Sequence, residues 1–569
     1  MTKNIKNTVL MFAVGCGLAA TTSSCSDFLE ILPMNDVVLE NYWTEKSDVS
    51  SVRNSCYESL ESEDALNRIG IWGELRSDNM LAGANVPNEV SEVLKENVLS
   101  SNPYCNWVKL YECINRCNIV CHYAPLVQAK DPNYSEEEMK ADIAEVSTLR
   151  ALAYFYLIRT FRDVPYTRRP SIDDTENFIL PATPFNAVLD SLIANLESVK
   201  DDAVRRHEMD RVTGSYYTLP IKNSSRITRV AIYALLADLY LWNEDYDNAI
   251  KYADMVIDYK LSQYDDLKAR MGDMRDIALV DSVPLILETP DGSGNTGGAA
   301  YRAIFGEGNS FESIFELYFS RSQNQENTWV RDYYGNSRTP NGRVRANALV
   351  FGTSKLDFIQ GKSSLFKATD GRIWENFRFE NSSLAIGKYV NSTVQYQTKS
   401  VSTEQSLNLL TAMRGQNTAP WIVYRLTEML LIKAEALVER GLEGDFDEAF
   451  KLVNIVNKRA NNLTQTLKKD DYINSKNAMA NLVLDERRRE FMFEGKRWYD
   501  LVRRSRRDGN TTYLASAVKL KFEDANAIAI KLADINIIYF PYSKNELKVN
   551  PLLVQNPAYT NGQDSEYIR

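Results

Sequence analysis

The chain has 569 residues, with 66 Lys and Arg against 76 Asp and Glu, a formal charge of −10. A hydrophobic share of 44 % beside 25 % charged residues excludes wholesale disorder, and the acidic balance excludes the basic face of a nucleic-acid binder. Only two histidines, His122 and His207, are present, which excludes sites combining several His ligands with a separate His base.

In chain order, the first feature is a targeting segment. Lys3 and Lys6 precede the apolar run Val9 to Ala20, which is shorter than the roughly 20 residues a membrane span needs and fits a secretory h-region. Small residues Thr21 to Ser24 follow, then Cys25. This resembles a bacterial lipoprotein cleavage box, with Thr22 where Leu is usual. Residues 1–24 are therefore expected to be a signal peptide and Cys25 the lipidated first residue of a mature chain of charge −12. Acyl chains, at about 0.8 kcal/mol per buried CH₂, then tether residues 25–45 and all that follows to a membrane.

Helical periodicity dominates next, over 48–62, 107–124, 136–162, 184–201 and 228–259, and returns over 419–441, 445–462 and 475–507. Cys113, Cys117 and Cys121 fall on one helical stripe beside His122. Their sulfurs spread over about 12 Å, too far to surround one ion, so they are expected to pack rather than bind metal. Leu236-Ala237-x-x-Tyr240 with Tyr246-x-x-Ala249 and Val256 fits a tetratricopeptide repeat, and Ala434-x-x-Leu437 with Phe446-x-x-Ala449 and Val456 is a looser copy. With 136–162 and 184–201 as a further pair, the pattern implies a helical repeat scaffold in two parts, 46–260 and 420–569. Between them, 261–419 is rich in Gly, Asn and Ser, with short β-prone pieces at 283–289, 315–319 and 385–390. This irregular, loop-rich region is expected to carry the ligand, since binding residues concentrate on loops held by a rigid frame.

The chemistry expected is recognition. There is no Gly-x-Ser-x-Gly elbow, phosphate loop or His-Glu-x-x-His helix, and the spacing Gly292-x-Gly294-x-x-Gly297 lacks a strand-then-helix context. No catalytic residue, cofactor or metal is assigned. Sugar binding needs flat rings for the C–H face of the sugar and a few placed polar groups for its hydroxyls. Two clusters combine these: Trp72, Arg76, Asp78 and Asn79 early in the chain, and Trp329, Arg331, Asp332, Tyr333 and Tyr334 in the irregular region. Tyr301 and Trp374 are further candidates. The charged run Glu486, Arg487, Arg488, Glu490, Glu494 and Arg497 is read as structural. Spacings of three and four permit ion pairs within a helix, with Arg487 and Arg488 turned to neighbouring helices.

The chain resembles the SusD/RagB family of Bacteroidetes lipoproteins. The resemblance is carried by Cys25-Ser-Asp-Phe-Leu-Glu30, Ala144 to Leu157 with Phe161-Arg-Asp-Val-Pro165, and Glu428 to Leu437 with Asn457-Lys-Arg-Ala460. Its most specific parts are Asp485-Glu-Arg-Arg-Arg-Glu490 with Phe493 to Leu501, and the tail from Tyr539-Phe-Pro541 to Gln555-Asn-Pro557. It implies a mainly α fold of about four tetratricopeptide-like helix pairs supporting a variable region with small β elements. It also implies a non-enzymatic, surface-exposed outer-membrane lipoprotein that captures a nutrient, usually a glycan, and passes it to a SusC-like TonB-dependent transporter. A peptide-binding branch of the family, a secreted glycan-cleaving enzyme and a scaffold for protein partners alone are the alternatives.

Overall fold

The computed structural model describes residues 42–172, 179–207, 222–272, 276–288, 296–350, 363–367, 369–380, 383–397 and 410–560. The expected signal peptide, Cys25 and the expected tether to residue 41 lie outside them, as do Gly292 and Gly294 of the glycine-spaced loop.

The first half of the frame is helical: α1 (Lys46–Glu61), α2 (Glu63–Gly70), α3 (Val108–Gln128), α4 (Glu136–Phe161), α5 (Phe185–Val199), α6 (Arg229–Trp242) and α7 (Tyr246–Met271). The sequence writes the start of α4 plainly. Ser135 caps the helix by accepting from the Glu138 N–H at 3.2 Å, Glu138 accepts from the Ser135 N–H at 3.1 Å, and three glutamates face the positive end of the helix dipole. Every residue from Ala144 to Phe161 is buried. A helix buried on every side, Glu145, Arg150 and Arg159 included, must be central, and α4 packs against α1, α3, α5 and α6. Helices α6 and α7 form the expected repeat pair, with Ala237, Ala249 and Val256 fully buried at their crossing. Tyr240 and Tyr252 both donate to Glu197 at 2.7 Å, joining that pair to α5.

The second half supplies α8 (Leu426–Arg440), α9 (Asp445–Ala460), α10 (Lys476–Phe491) and α11 (Arg497–Asp508). Helix α7 packs on α8, so the two halves form one continuous frame. The three repeat-like pairs α4–α5, α6–α7 and α8–α9 are each in contact, and the mainly α, tetratricopeptide-like scaffold expected from the sequence is what the structure has.

Two details differ. The stretch 475–507 is broken, because Phe493 and Gly495 take φ of +68° and +71° and turn the chain between α10 and α11. Residues 421–425, expected to open a helix, form a strand instead.

Small antiparallel sheets occupy the irregular region. They are β1 (Met80–Ala82) on β5 (Val344–Ala346), β2 (Ile277–Val280) on β3 (Val283–Ile286), and β4 (Ser313–Leu317) on β10 (Trp421–Arg425). Strand β6 (Phe377–Glu380) pairs with β7 (Ser383–Ile386), and β8 (Asn391–Gln397) lies between β9 (Leu410–Met413) and Thr296–Gly297. Two of these pairings position the site. Met80 opposite Ala346 ties the early loop to the irregular region, and Trp421 opposite Leu317 ties that region to α8. The main apolar core runs from α1 through the rings of the irregular region to α11 without interruption.

Candidate functional site

The early cluster is built on a π-helical turn, Ile71–Leu75, that runs on from α2. Gly73 lies so close to the turn after α10 that a Cβ there would stand 1.9 Å from the Gly495 carbonyl oxygen. This approach delivers the cluster into a buried ion lattice. Asp78 takes two bonds from Arg497, at 2.9 and 3.0 Å, and an ion pair from Arg488 at 3.0 Å. Asn79 donates to Glu74 at 2.8 Å and accepts from Arg488 at 2.8 Å. Arg76 bonds Glu96 and the Ile537 and Ile538 carbonyls, with its guanidinium 4.3 Å from the Trp498 ring centroid. Trp72 donates to the Tyr104 carbonyl at 2.8 Å.

The lattice continues along α10. Arg372 bridges Asp370, Glu486 and Glu490, while Arg425 and Arg459 also hold Glu490. Lys388 and Arg425 hold Glu494, and Arg487 reaches Asp500 on α11 at 2.9 Å. The structural reading of this run therefore stands, with one correction. Because α10 stops at Phe491, Glu494 and Arg497 share no helix with Glu486 and Glu490, and most of these pairs cross between elements. Burial opposes ionisation of Glu435, but Arg503 and Arg507 outweigh it and hold the carboxyl down at about 2. Burial is the larger effect at Glu74, and the hydrogen bonds it accepts from Asn79 and the Phe493 N–H do not offset it, so its carboxyl is pushed up to about 7. A cavity of about 20 Å³ within this lattice, beside Arg159, Asp238 and Glu428, has room for about one water.

The second cluster lies on another π-helical turn, Val330–Tyr334. Trp329 stacks on Tyr333 with centroids 4.2 Å apart and meets Tyr334 edge-on at 5.5 Å. Its indole lies where a Cβ on Gly70 would be, only 2.3 Å away. Tyr334 Oη donates to the Phe493 carbonyl at 2.8 Å, and the hydroxyls of Tyr333 and Tyr104 are 2.8 Å apart. Tyr301 Oη donates to the Asn391 and Gly387 carbonyls, and Trp374 sits in the buried helical turn Arg372–Asn376.

The expectation that Trp72, Arg76, Asp78, Asn79, Tyr301, Trp329, Tyr333, Tyr334 and Trp374 face a ligand is thus corrected by their placement. All nine are at most 4 % exposed, and they fasten the irregular region to the frame. Trp329 and Tyr333, four positions apart, share one side of a helical turn, the wider π turn brings Tyr334 beside them, and here that side faces inward.

Of the predicted residues, Arg331 and Asp332 line one surface recess. It has a volume of about 630 Å³ and is formed by the polar loop 321–326, the turn 331–339 and the loop 415–418. Its walls are fixed by short-range bonds. The Asn327 N–H donates to the Asn417 carbonyl at 2.7 Å, and Asn327 Nδ2 donates to the Ala419 carbonyl at 2.9 Å. Asn336 Oδ1 accepts from the N–H groups of Arg338 and Thr339, at 2.8 and 3.0 Å, and shapes the mouth. Arg331 lies between Glu326, at 2.7 Å, and Asp332, at 2.6 Å.

Arg321, Asn324, Gln325, Arg338 and Gln416 also line the recess, and none was singled out in the sequence. Their signal lies in the runs Arg-Ser-Gln-Asn-Gln-Glu over 321–326, Asn-Ser-Arg over 336–338 and Gly-Gln-Asn-Thr over 415–418, loop segments with no large apolar residue. The clustered cysteines behave as packing residues. Cys56, Cys113 and Cys117 are buried free thiols between α1 and α3, and among the described residues no group of three His, Cys, Asp or Glu side chains could hold a metal ion.

Comparison with known proteins gives a consistent answer. Residues 328–559 match the SusD family. Two SusD-like proteins of Formosa agariphila are each 24 % identical, one over 523 residues (88 % of this chain, 92 % of the relative) and one over 511 (85 % and 89 %). Among solved structures, a SusD superfamily protein from Bacteroides vulgatus superposes with a TM-score of 0.63 at 18 % identity, covering 91 % of this chain and all of that one. A candidate sugar-binding protein from the same organism gives 0.60 at 19 % identity, covering 91 % and 99 %.

Proposed function

We propose that this SusD-like chain, a binding protein and not an enzyme, holds an oligosaccharide or polysaccharide in the recess formed by 321–326, 331–339 and 415–418, and delivers it to a SusC-like TonB-dependent transporter in the outer membrane. The observation that carries the reading is the recess itself. It is an open cleft of about 630 Å³, within the roughly 300–1,000 Å³ of small-ligand sites. It is lined by amides, hydroxyls and guanidiniums, which are the groups that bond sugar hydroxyls, and it sits on loops pinned to a rigid helical frame. The likeness to SusD-like proteins supports nutrient capture, and the candidate sugar-binding relative supports a glycan.

The transporter and the anchor are inferred from family likeness and from the Cys25 box. No helix among the described residues is long and apolar enough to cross a membrane, and the proposed attachment is a lipid on Cys25. Titration calorimetry of residues 26–569 against glycan and peptide panels tests the reading. Saturable binding of a glycan that Arg331→Ala or Asp332→Ala weakens is the expected result. Binding of peptides alone, or release of cleaved glycan by the purified chain, would overturn it.

A further inference from the structure

We infer that the recess selects an acidic sugar chain, one bearing carboxylate or sulfate groups, and that Arg321 and Arg338 make the selection. The inference rests on the proposed nutrient site and adds the class of nutrient it takes.

The charges in the recess fall into two sets. The first set is already satisfied. Arg331 is held by Glu326 and Asp332, Asn417 Nδ2 also donates to Glu326 at 3.1 Å, and the Arg343 guanidinium stands 3.8 Å from Asp332. Each carboxylate there faces a cation or an amide, so little negative field is left to repel an anion.

The second set is uncommitted. Arg321 and Arg338 are exposed on two different segments of the lining, and neither side chain makes an ion pair or hydrogen bond among the described residues. The Arg338 backbone is nonetheless fixed, through its N–H to Asn336. Two free guanidiniums are thus presented at one mouth on a chain whose formal charge is −10.

What is missing from the lining points the same way. Among the described residues no aromatic ring lines the recess, so a neutral sugar finds no flat apolar face from them. It would depend on neutral hydrogen bonds that compete evenly with water. A guanidinium instead offers a planar fork that matches a carboxylate or a sulfate ester with parallel, charge-assisted bonds about twice as strong as neutral ones. Carboxylate and sulfate share this chemistry, and the experiment separates them.

Calorimetry is run on the wild type and the Arg321→Gln/Arg338→Gln double variant with two matched pairs. One pair is oligogalacturonides and their methyl esters; the other is sulfated galactan oligosaccharides and the same chains after desulfation. The expected result is that the charged member of at least one pair binds about tenfold or more tighter than its neutral partner. That advantage shrinks as salt rises and collapses in the double variant, whose melting temperature is unchanged because neither side chain is buried or paired. The pair that responds identifies carboxylate or sulfate. Neutral glycans binding as well as charged ones, with Arg331→Ala still weakening both, would overturn this inference and leave the nutrient site standing. Failure of every glycan, charged or neutral, would overturn the nutrient site and the inference with it.

Discussion

Trp329 and Arg338 lie nine positions apart and illustrate opposite fates for residues in one loop region. Trp329 is fully buried against Gly70 and Tyr333, so Trp329→Ala removes a large side chain from a packed interior and is expected to cost about 3–5 kcal/mol. Denaturant unfolding measures this, and loss of ligand affinity at unchanged stability would contradict the packing role. Titration at single residues gives a second expectation.

Glu435, held at about 2, binds fewer protons folded than unfolded. The stability it contributes is present above about pH 4.5 and is lost as pH falls toward 2. Glu74, raised to about 7, behaves oppositely, and stability falls as pH rises from about 4.5 through 7. Glu74→Gln should remove that decline, so that the variant gains on the wild type by up to about 3 kcal/mol across the interval. Parallel stability curves for the two proteins across that range would show Glu74 to be ionised in the fold.

At the scale of elements, the turn between α10 and α11 is the critical joint. It sets Glu490 among three arginines, Arg372, Arg425 and Arg459, and it receives Gly73 against Gly495. Glu490→Ala leaves those buried cations short of a counter-charge and should cost about 3–5 kcal/mol. A melting temperature equal to the wild type would show the lattice to be dispensable. Gly73→Ala should destabilise as well, by forcing the early turn off the α10–α11 joint.

The helices were largely legible because their causes are local. The capping box at Ser135 and Glu138, the small residues at Ala237 and Ala249, and the apolar run Ala151 to Ile158 of α4 each announce themselves within a few residues. The break at Phe493 was not legible, since helical spacing of Glu486, Glu490, Glu494 and Arg497 continues through it and only tertiary contacts stop the helix. Strand β10 was missed for a similar reason. Trp421-Ile-Val-Tyr424 runs straight into Leu426–Arg440 with no breaker, and its partner β4 lies about a hundred residues earlier.

For the whole molecule, the early loop, the irregular region and the α10–α11 joint close on one another through β1–β5, the aromatic cluster at Trp329 and the Asp78–Arg497 contact. The region that holds the recess was legible from its loss of helical periodicity and its polar loops. The orientation of its side chains was not. Rings chosen as sugar platforms face inward as anchors, and the outward surface falls to Arg321, Asn324, Arg338 and Gln416, whose loops have no pattern beyond polarity. Sequence periodicity states which residues share a face, but whether that face meets core or solvent depends on elements far away in the chain.

The proposed place of nutrient binding is the recess between 321–339 and 415–418. Hydrogen–deuterium exchange of the protein with and without the tightest-binding oligosaccharide from the calorimetric panel tests it most directly. Slowed exchange in those two segments, with little change at 72–79, is the expected result. Protection confined to 72–79 or to the helical frame, with none at 321–339 or 415–418, would contradict it.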